Sequence, residues 1–125
     1  MVLPNLPYTL IQAIARQEGF YSEEIPETRP QRLNNPGDLE FRPWMTTFGG
    51  KDDQDPRFAW FPSSEAGFNA LRHLLQFPLY KGKTISQAIS IFAPSTDGND
   101  VRQYVNNVCS WCEATPDTVI DTILG

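Results

Sequence analysis

A chain of 125 residues fits one domain, residues 1–125, and can bury about two-thirds of its surface, enough to fold without metals or a disulfide framework. Its 40% hydrophobic and 20% charged residues exclude an intrinsically disordered chain. A net charge of −5, with ten Lys and Arg scattered among fifteen acids, argues against binding nucleic acid by phosphate neutralisation, and no run approaches the roughly 18 apolar residues of a membrane span.

The first helix is expected from about Leu6 to Glu18, with Asn5 as N-cap, Pro7 in its first turn and Gly19 as its stop. Leu10, Ile11 and Ile14 mark its buried face. Met1 to Ile14 has no basic n-region and no small-residue cleavage site, so it reads as part of this helix and not as a secretory signal peptide. From Tyr21 to Arg32 the composition is polar and proline-containing, a loop pattern. Asn34-Asn35-Pro36-Gly37-Asp38 is a turn signal, in which Pro36 presets φ and Gly37 supplies the positive φ of a type II turn. Leu39-Glu40-Phe41 and Phe58-Ala59-Trp60-Phe61 are short candidate strands around Gly49-Gly50 and an acidic loop, Asp52 to Pro56.

After Pro62 the pattern is helical. Ser63 caps a helix to about Phe77, with Phe68, Leu71, Leu74 and Leu75 inward. Thr84 and Gln87 form a capping box that opens a helix ending before Pro94. Val101, Tyr104, Val105, Val108 and Cys112 make one apolar stripe at helical spacing. Thr115, Pro116 and Asp117 start a last helix with Val119, Ile120 and Ile123 inward. The fold class is α+β, mostly α, with a small antiparallel β region after the first helix.

Glu18 is the leading chemical candidate. At about 100° per residue it projects about 20° from Ile11 and about 40° from Ile14, so an ionisable group continues the apolar face. Desolvation there, and the negative end of the helix dipole, both disfavour the carboxylate and raise its pKa. An acid that stays protonated near neutrality can donate to a leaving oxygen. The plainer alternative is a terminal glutamate that swings out to water.

Four blocks resemble one branch of the lysozyme-like superfamily of peptidoglycan-cleaving domains in phages and bacteria. Ile14-Ala15-Arg16-Gln17-Glu18-Gly19-Phe20 is similar to its catalytic segment. Arg32-Leu33-Asn34-Asn35-Pro36-Gly37-Asp38-Leu39 resembles its Arg-Asn-Asn-Asn-Pro-Gly-Asn pattern. Phe61-Pro62-Ser63 with Gly67-Phe68 and Ala70-Leu71, then Ala93-Pro94 with Asn99 and Tyr104, follow in the same order, over roughly residues 8 to 110. The resemblance implies a lysozyme-like fold and cleavage of the β-1,4 bond between N-acetylmuramic acid and N-acetylglucosamine, with Glu18 as acid. It also implies a monomer acting on glycan strands without a cofactor. Such a protein is made in the cytoplasm and reaches the wall after release, or travels in a phage particle. Leu33 and Asp38 depart from the pattern, which has Asn at both places.

A hydrolase with two carboxylates needs a partner about 5–10 Å from Glu18, and Asp38, Glu40, Asp52 and Asp53 are the candidates. A lytic transglycosylase-like scheme needs Glu18 alone, because the sugar's own hydroxyl attacks. The pattern has Asn at the Asp38 position, which argues against a required second carboxylate there, and the absence of a fixed partner slightly favours the second scheme. Asn34, Asn35, Glu40, Trp44, Asn99 and Tyr104 are candidate substrate contacts. Against these stand plainer roles: the turn for Asn34 and Asn35, a solvated strand face for Glu40, and core packing for Tyr104. Trp44 is preferred to Phe48 and Trp60 as a sugar-stacking ring because its surroundings are polar.

Other chemistries fit less well. Asp52, Asp53 and Asp55 lack the Gly and terminal Glu of a calcium loop, so no metal is expected. His73, the lone histidine, has no nucleophile elbow near it. Cys109 and Cys112 have C-x-x-C spacing without the strand and helix order of a redox fold. The competing readings are a catalytically silent wall-binding or virion structural module and, last, a thiol–disulfide protein.

Overall fold

Thr9 opens the first helix. In the computed structural model, which describes residues 2–53 and 57–125, the Thr9 hydroxyl accepts from the Gln12 N–H and the Gln12 side chain accepts from the Thr9 N–H. This capping box starts α1 (Leu10–Gln17) later than the expected Leu6, and leaves Asn5 and Pro7 ahead of the helix. The remaining N–H groups of the first turn go to the C-terminal segment: Leu10 donates to the Ile123 carbonyl at 2.7 Å and Ile11 to that of Leu124 at 3.3 Å. Leu10, Ile11 and Ile14 are buried, as their spacing predicts, and Gly19 ends the helix in the left-handed region at φ 91°.

The expected loop to Arg32 contains a second helix, α2 (Arg29–Arg32), opened by another reciprocal box, Thr28 with Gln31. The turn that follows differs from a type II turn. Gly37 keeps out of the left-handed region, and Asn34 (φ 52°) and Asp38 (φ 49°) occupy it instead. Space is tight at Gly37: a Cβ there would stand 2.9 Å from Leu71 Cδ1, so the leucine side chain would have to shift.

A short 3-10 helix, Pro43–Phe48, precedes the sheet. The sheet has two antiparallel strands, β1 (Lys51–Asp52) and β2 (Ala59–Trp60), with Lys51 opposite Trp60. Leu39-Glu40-Phe41 joins them only through a bridge between Glu40 and Phe58. Gln54, Asp55 and Pro56 of the acidic loop lie outside the described residues.

Three longer helices follow: α3 (Ser64–Leu74) capped by Ser63, α4 (Ile85–Phe92) opened by the Thr84–Gln87 box, and α5 (Val101–Cys112) capped by Asp100. In α3 the helix packs so tightly on the turn that a Cβ at Gly67 would lie 2.1 Å from the Asn34 carbonyl oxygen. The last helix is absent. The segment after Thr115 instead gives its backbone to the start of α4: Ile85 donates to the Thr118 carbonyl and Ile120 to that of Lys83, both at 2.9 Å. Val119 therefore faces outward, Ile120 is buried, and only a 3-10 turn forms at Ile120–Thr122.

The result is a mostly α domain with one small antiparallel sheet between its first and later helices. The core gathers α1, α3, α4 and α5 around Ile14, Phe61, Leu71, Ile89 and Val108. No helix among the described residues is long and apolar enough to cross a membrane.

Candidate active site

Glu18 caps the C-terminal end of α1, its N–H still donating to the Ile14 carbonyl at 2.9 Å. Gly19 then reverses the chain, and its carbonyl accepts from the Thr28 hydroxyl at 2.9 Å. That bond ties the start of α2 to the end of α1 and brings Arg29 to the same place. From the other side α5 delivers Tyr104, whose hydroxyl donates to Glu18 Oε2 at 2.7 Å.

Beside Glu18 opens a cleft of about 510 Å³. One wall is formed by Arg29, Asp38, Glu40, Arg57 and Phe58, and the other by the end of α4 and the following residues, among them Phe92, Pro94, Asp97 and Asn99. Burial raises the Glu18 pKa from 4.5 to about 7. The Tyr104 hydrogen bond and the Arg29 charge oppose that rise, and the Asp38 charge adds to it. The Tyr104 phenol is pushed well above its ordinary value, by burial first and then by Glu18, so it stays a hydrogen-bond donor. A proton donor set in a groove can therefore serve acid chemistry at neutral pH.

No protein-family model matches the chain, and no curated protein matches it. The functional reading therefore rests on the chemistry of the cleft and on the resemblance of the four sequence blocks.

Of the residues picked from the sequence, Glu18, Asp38, Glu40 and Asn99 line this cleft, and Tyr104 lies directly behind Glu18. Asp38 is gripped by Arg29, Nε to Oδ1 at 2.9 Å and the terminal nitrogen to Oδ2 at 2.7 Å. Glu40 is held by Arg57 and, at 3.2 Å, by Arg42, and the Arg57 hydrogen bond lowers its pKa. Asn99 turns its amide to the Pro94 carbonyl at 3.2 Å, so that one donor is already engaged.

The structure does not bring the others to the cleft. Asn35 is fully buried; its amide donates to the Leu39 and Ala59 carbonyls and accepts from the Leu39 N–H, all at 2.9 Å. Asn34 donates to the Phe61 carbonyl at 3.1 Å. Both serve the scaffold of the turn, which leaves no amide group of Asn35 for a sugar. Trp44 packs on Phe48, His73 and Phe77, with ring centres 5.1–6.1 Å apart, in an aromatic cluster over α3 and away from Glu18. It found apolar partners that its polar sequence neighbours did not reveal. Asp52 and Asp53 line a separate hollow with Lys51 and Trp60, so neither stands opposite Glu18.

Cys109 and Cys112 are free thiols on α5, both raised in pKa by burial, the opposite of an activated thiol. Among the described residues no three His, Cys, Asp or Glu side chains gather so as to hold a metal.

The sequence reading missed Arg29 and Arg57. Arg29 had a legible signal, because Thr28-Arg29-Pro30-Gln31 is a capping box with proline in the first turn. Arg57 had none, since its place depends on the bridge between Glu40 and Phe58.

Proposed function

We propose that this chain is a lysozyme-like glycosidase of bacterial peptidoglycan, with Glu18 protonating the oxygen of the β-1,4 bond between N-acetylmuramic acid and N-acetylglucosamine. One observation carries the reading: a half-buried carboxyl with a pKa of about 7, held by Tyr104, at the wall of an open groove. The order of elements supports the lysozyme-like fold, with a glutamate closing the first helix and a small sheet region forming one side of the cleft.

The steps follow from the groups present. Protonated Glu18 gives its proton to the leaving oxygen as the C–O bond breaks. The carboxylate left behind keeps the Tyr104 hydrogen bond and the nearby Arg29 charge, both of which favour the ionised form. It can then take a proton from the attacking hydroxyl, returning to its first state. Asp38 and Glu40 share the cleft, yet each already neutralises arginine. That engagement favours a scheme in which Glu18 acts alone and the sugar's own hydroxyl attacks, over one that uses a second carboxylate as nucleophile.

Zymography on purified cell wall tests the proposal. The parent chain is expected to clear wall, and Glu18→Gln, which keeps the Tyr104 hydrogen bond and the fold, is expected to lose clearing by at least about 100-fold. Tight pelleting with wall and no soluble fragments from the folded parent would replace the enzyme with a binding module.

A further inference from the structure

A hollow between α1 and α3 lies apart from the Glu18 cleft. Glu65, Phe68, Asn69 and Arg72 stand at i, i+3, i+4 and i+7 of α3, one face of that helix. With Gln12 of α1 and Tyr21 they line a space of about 340 Å³. Gln12 stands about 9 Å along α1 from Glu18 and about 120° round it, and none of these residues lines the cleft. The sequence pattern puts Phe68 inward, yet its ring and that of Tyr21 are only half-buried. Each meets the buried Phe20 edge to face with ring centres 5.4 Å apart, so one aromatic base holds both.

The polar groups of the hollow are preset, and half of each amide is unused. The Gln12 side-chain oxygen accepts from the Thr9 N–H at 3.0 Å, which fixes its amide nitrogen. The Asn69 oxygen accepts from Arg72 at 2.7 Å, and Arg72 is itself held by the Gly125 carbonyl, also at 2.7 Å. Among the described residues neither amide nitrogen has an acceptor, and the Tyr21 hydroxyl and Glu65 carboxylate have no hydrogen-bond partner. Two amides can donate, the carboxylate can accept and the phenol can do either. Glu65 and Arg72 bring one charge of each sign, so the hollow selects for neither. Exposed ring surface beside preset donors and acceptors matches a neutral ligand with a C–H face and several hydroxyls. We infer that this hollow is a second glycan-binding site, taking an N-acetylhexosamine unit of a β-1,4-linked strand outside the Glu18 cleft. The N-acetylhexosamine class rests on the proposed reading of the cleft, whereas sugar binding rests on the hollow itself. An uncharged contact of this kind holds on the wall a chain whose net charge of −5 gives it no attraction there.

Nitrogen-15 NMR titration of Glu18→Gln with the β-1,4 tetramer of N-acetylglucosamine tests the site, since that variant does not consume the sugar. The side-chain amide signals of Gln12 and Asn69 and the backbone signals of Tyr21 and Phe68 should move together and saturably. Adding Tyr21→Ala removes one ring and should weaken that titration roughly tenfold. Adding Asn69→Asp instead keeps an oxygen for Arg72 but removes the amide donor, and should weaken it by a similar factor. Unchanged sugar-free signals of Ile14 and Tyr104 show that each variant keeps the fold. Movement confined to Asn99 and Tyr104, no movement, or both variants titrating like Glu18→Gln would overturn the inference. So would movement caused by a charged stem peptide and not by the sugar. Movement at the hollow of a chain whose parent cuts no glycan would keep the site and reject the glycosidase. Cleavage by a parent whose hollow stays silent would do the reverse.

Discussion

At Glu18 burial and the Tyr104 hydrogen bond pull in opposite directions, and burial wins. Between about pH 4.5 and 7 the side chain is protonated in the folded chain and ionised in the unfolded one, so unfolding releases a proton. Stability therefore falls as pH rises through that window, by as much as about 3 kcal/mol at ~1.4 kcal/mol per pH unit. Glu18→Gln removes this slope. Calorimetry should find the variant as stable as the parent at pH 4 and more stable at pH 8; a parent that is the more stable at pH 8 would contradict the burial argument. Tyr104→Phe removes the donor that favours the carboxylate. Its alkaline limb should move to higher pH while its rate falls by roughly tenfold, the scale of one hydrogen bond to a charged group. A limb moving to lower pH would show that Tyr104 does not act through Glu18. At this scale helical projection placed Glu18 on the apolar face, and its choice as the acid rested also on the resemblance of the segment from Ile14 to Phe20. Its partner was legible only as a residue on an apolar stripe, since nothing local joins Tyr104 to a residue 86 positions away.

The elements themselves were legible where their start signals were local. Ser63 and the Thr84–Gln87 box open helices as expected. Thr9–Gln12 and Thr28–Gln31 have the same spacing and open α1 and α2, yet neighbouring prolines drew attention to Pro7 and obscured α2. The last helix failed for a different reason. Residues 118 and 120 bond the start of α4, a tertiary demand that overrides the local Thr-Pro-Asp signal. The turn before the sheet shows the same override, because its shape answers to α3 packing against it. Asn35→Ala should lower stability by roughly 3 kcal/mol, since it strands the Ala59 carbonyl and the Leu39 N–H in the interior, while the Leu39 carbonyl keeps only the Ala59 N–H. Denaturant unfolding measures this, and a loss below about 1 kcal/mol would mean that water replaces the amide. Gly67→Ala should likewise lower the unfolding midpoint, because its new methyl group meets a backbone carbonyl that cannot move without shifting the turn.

Over the whole molecule, the mostly α class and the position of the small sheet followed from the order of periodic segments. The cleft did not, because it depends on how the end of α4 faces the β side. Net charge matters at this scale too. A chain of −5 gains no steering toward an anionic wall, so its association should strengthen as salt rises from low ionic strength and screens the repulsion. Pelleting with purified wall at increasing salt reads this, and a monotonic loss would point to attractive charge contacts instead. The most direct measurement is mass spectrometry of the fragments released from purified peptidoglycan by the parent and by Glu18→Gln, from pH 4 to 9. Cleavage at the N-acetylmuramic acid to N-acetylglucosamine bond is expected from the parent, falling above about pH 7 and absent from the variant. Equal release by the two chains, or no soluble fragment from the folded parent at any pH, would contradict the account.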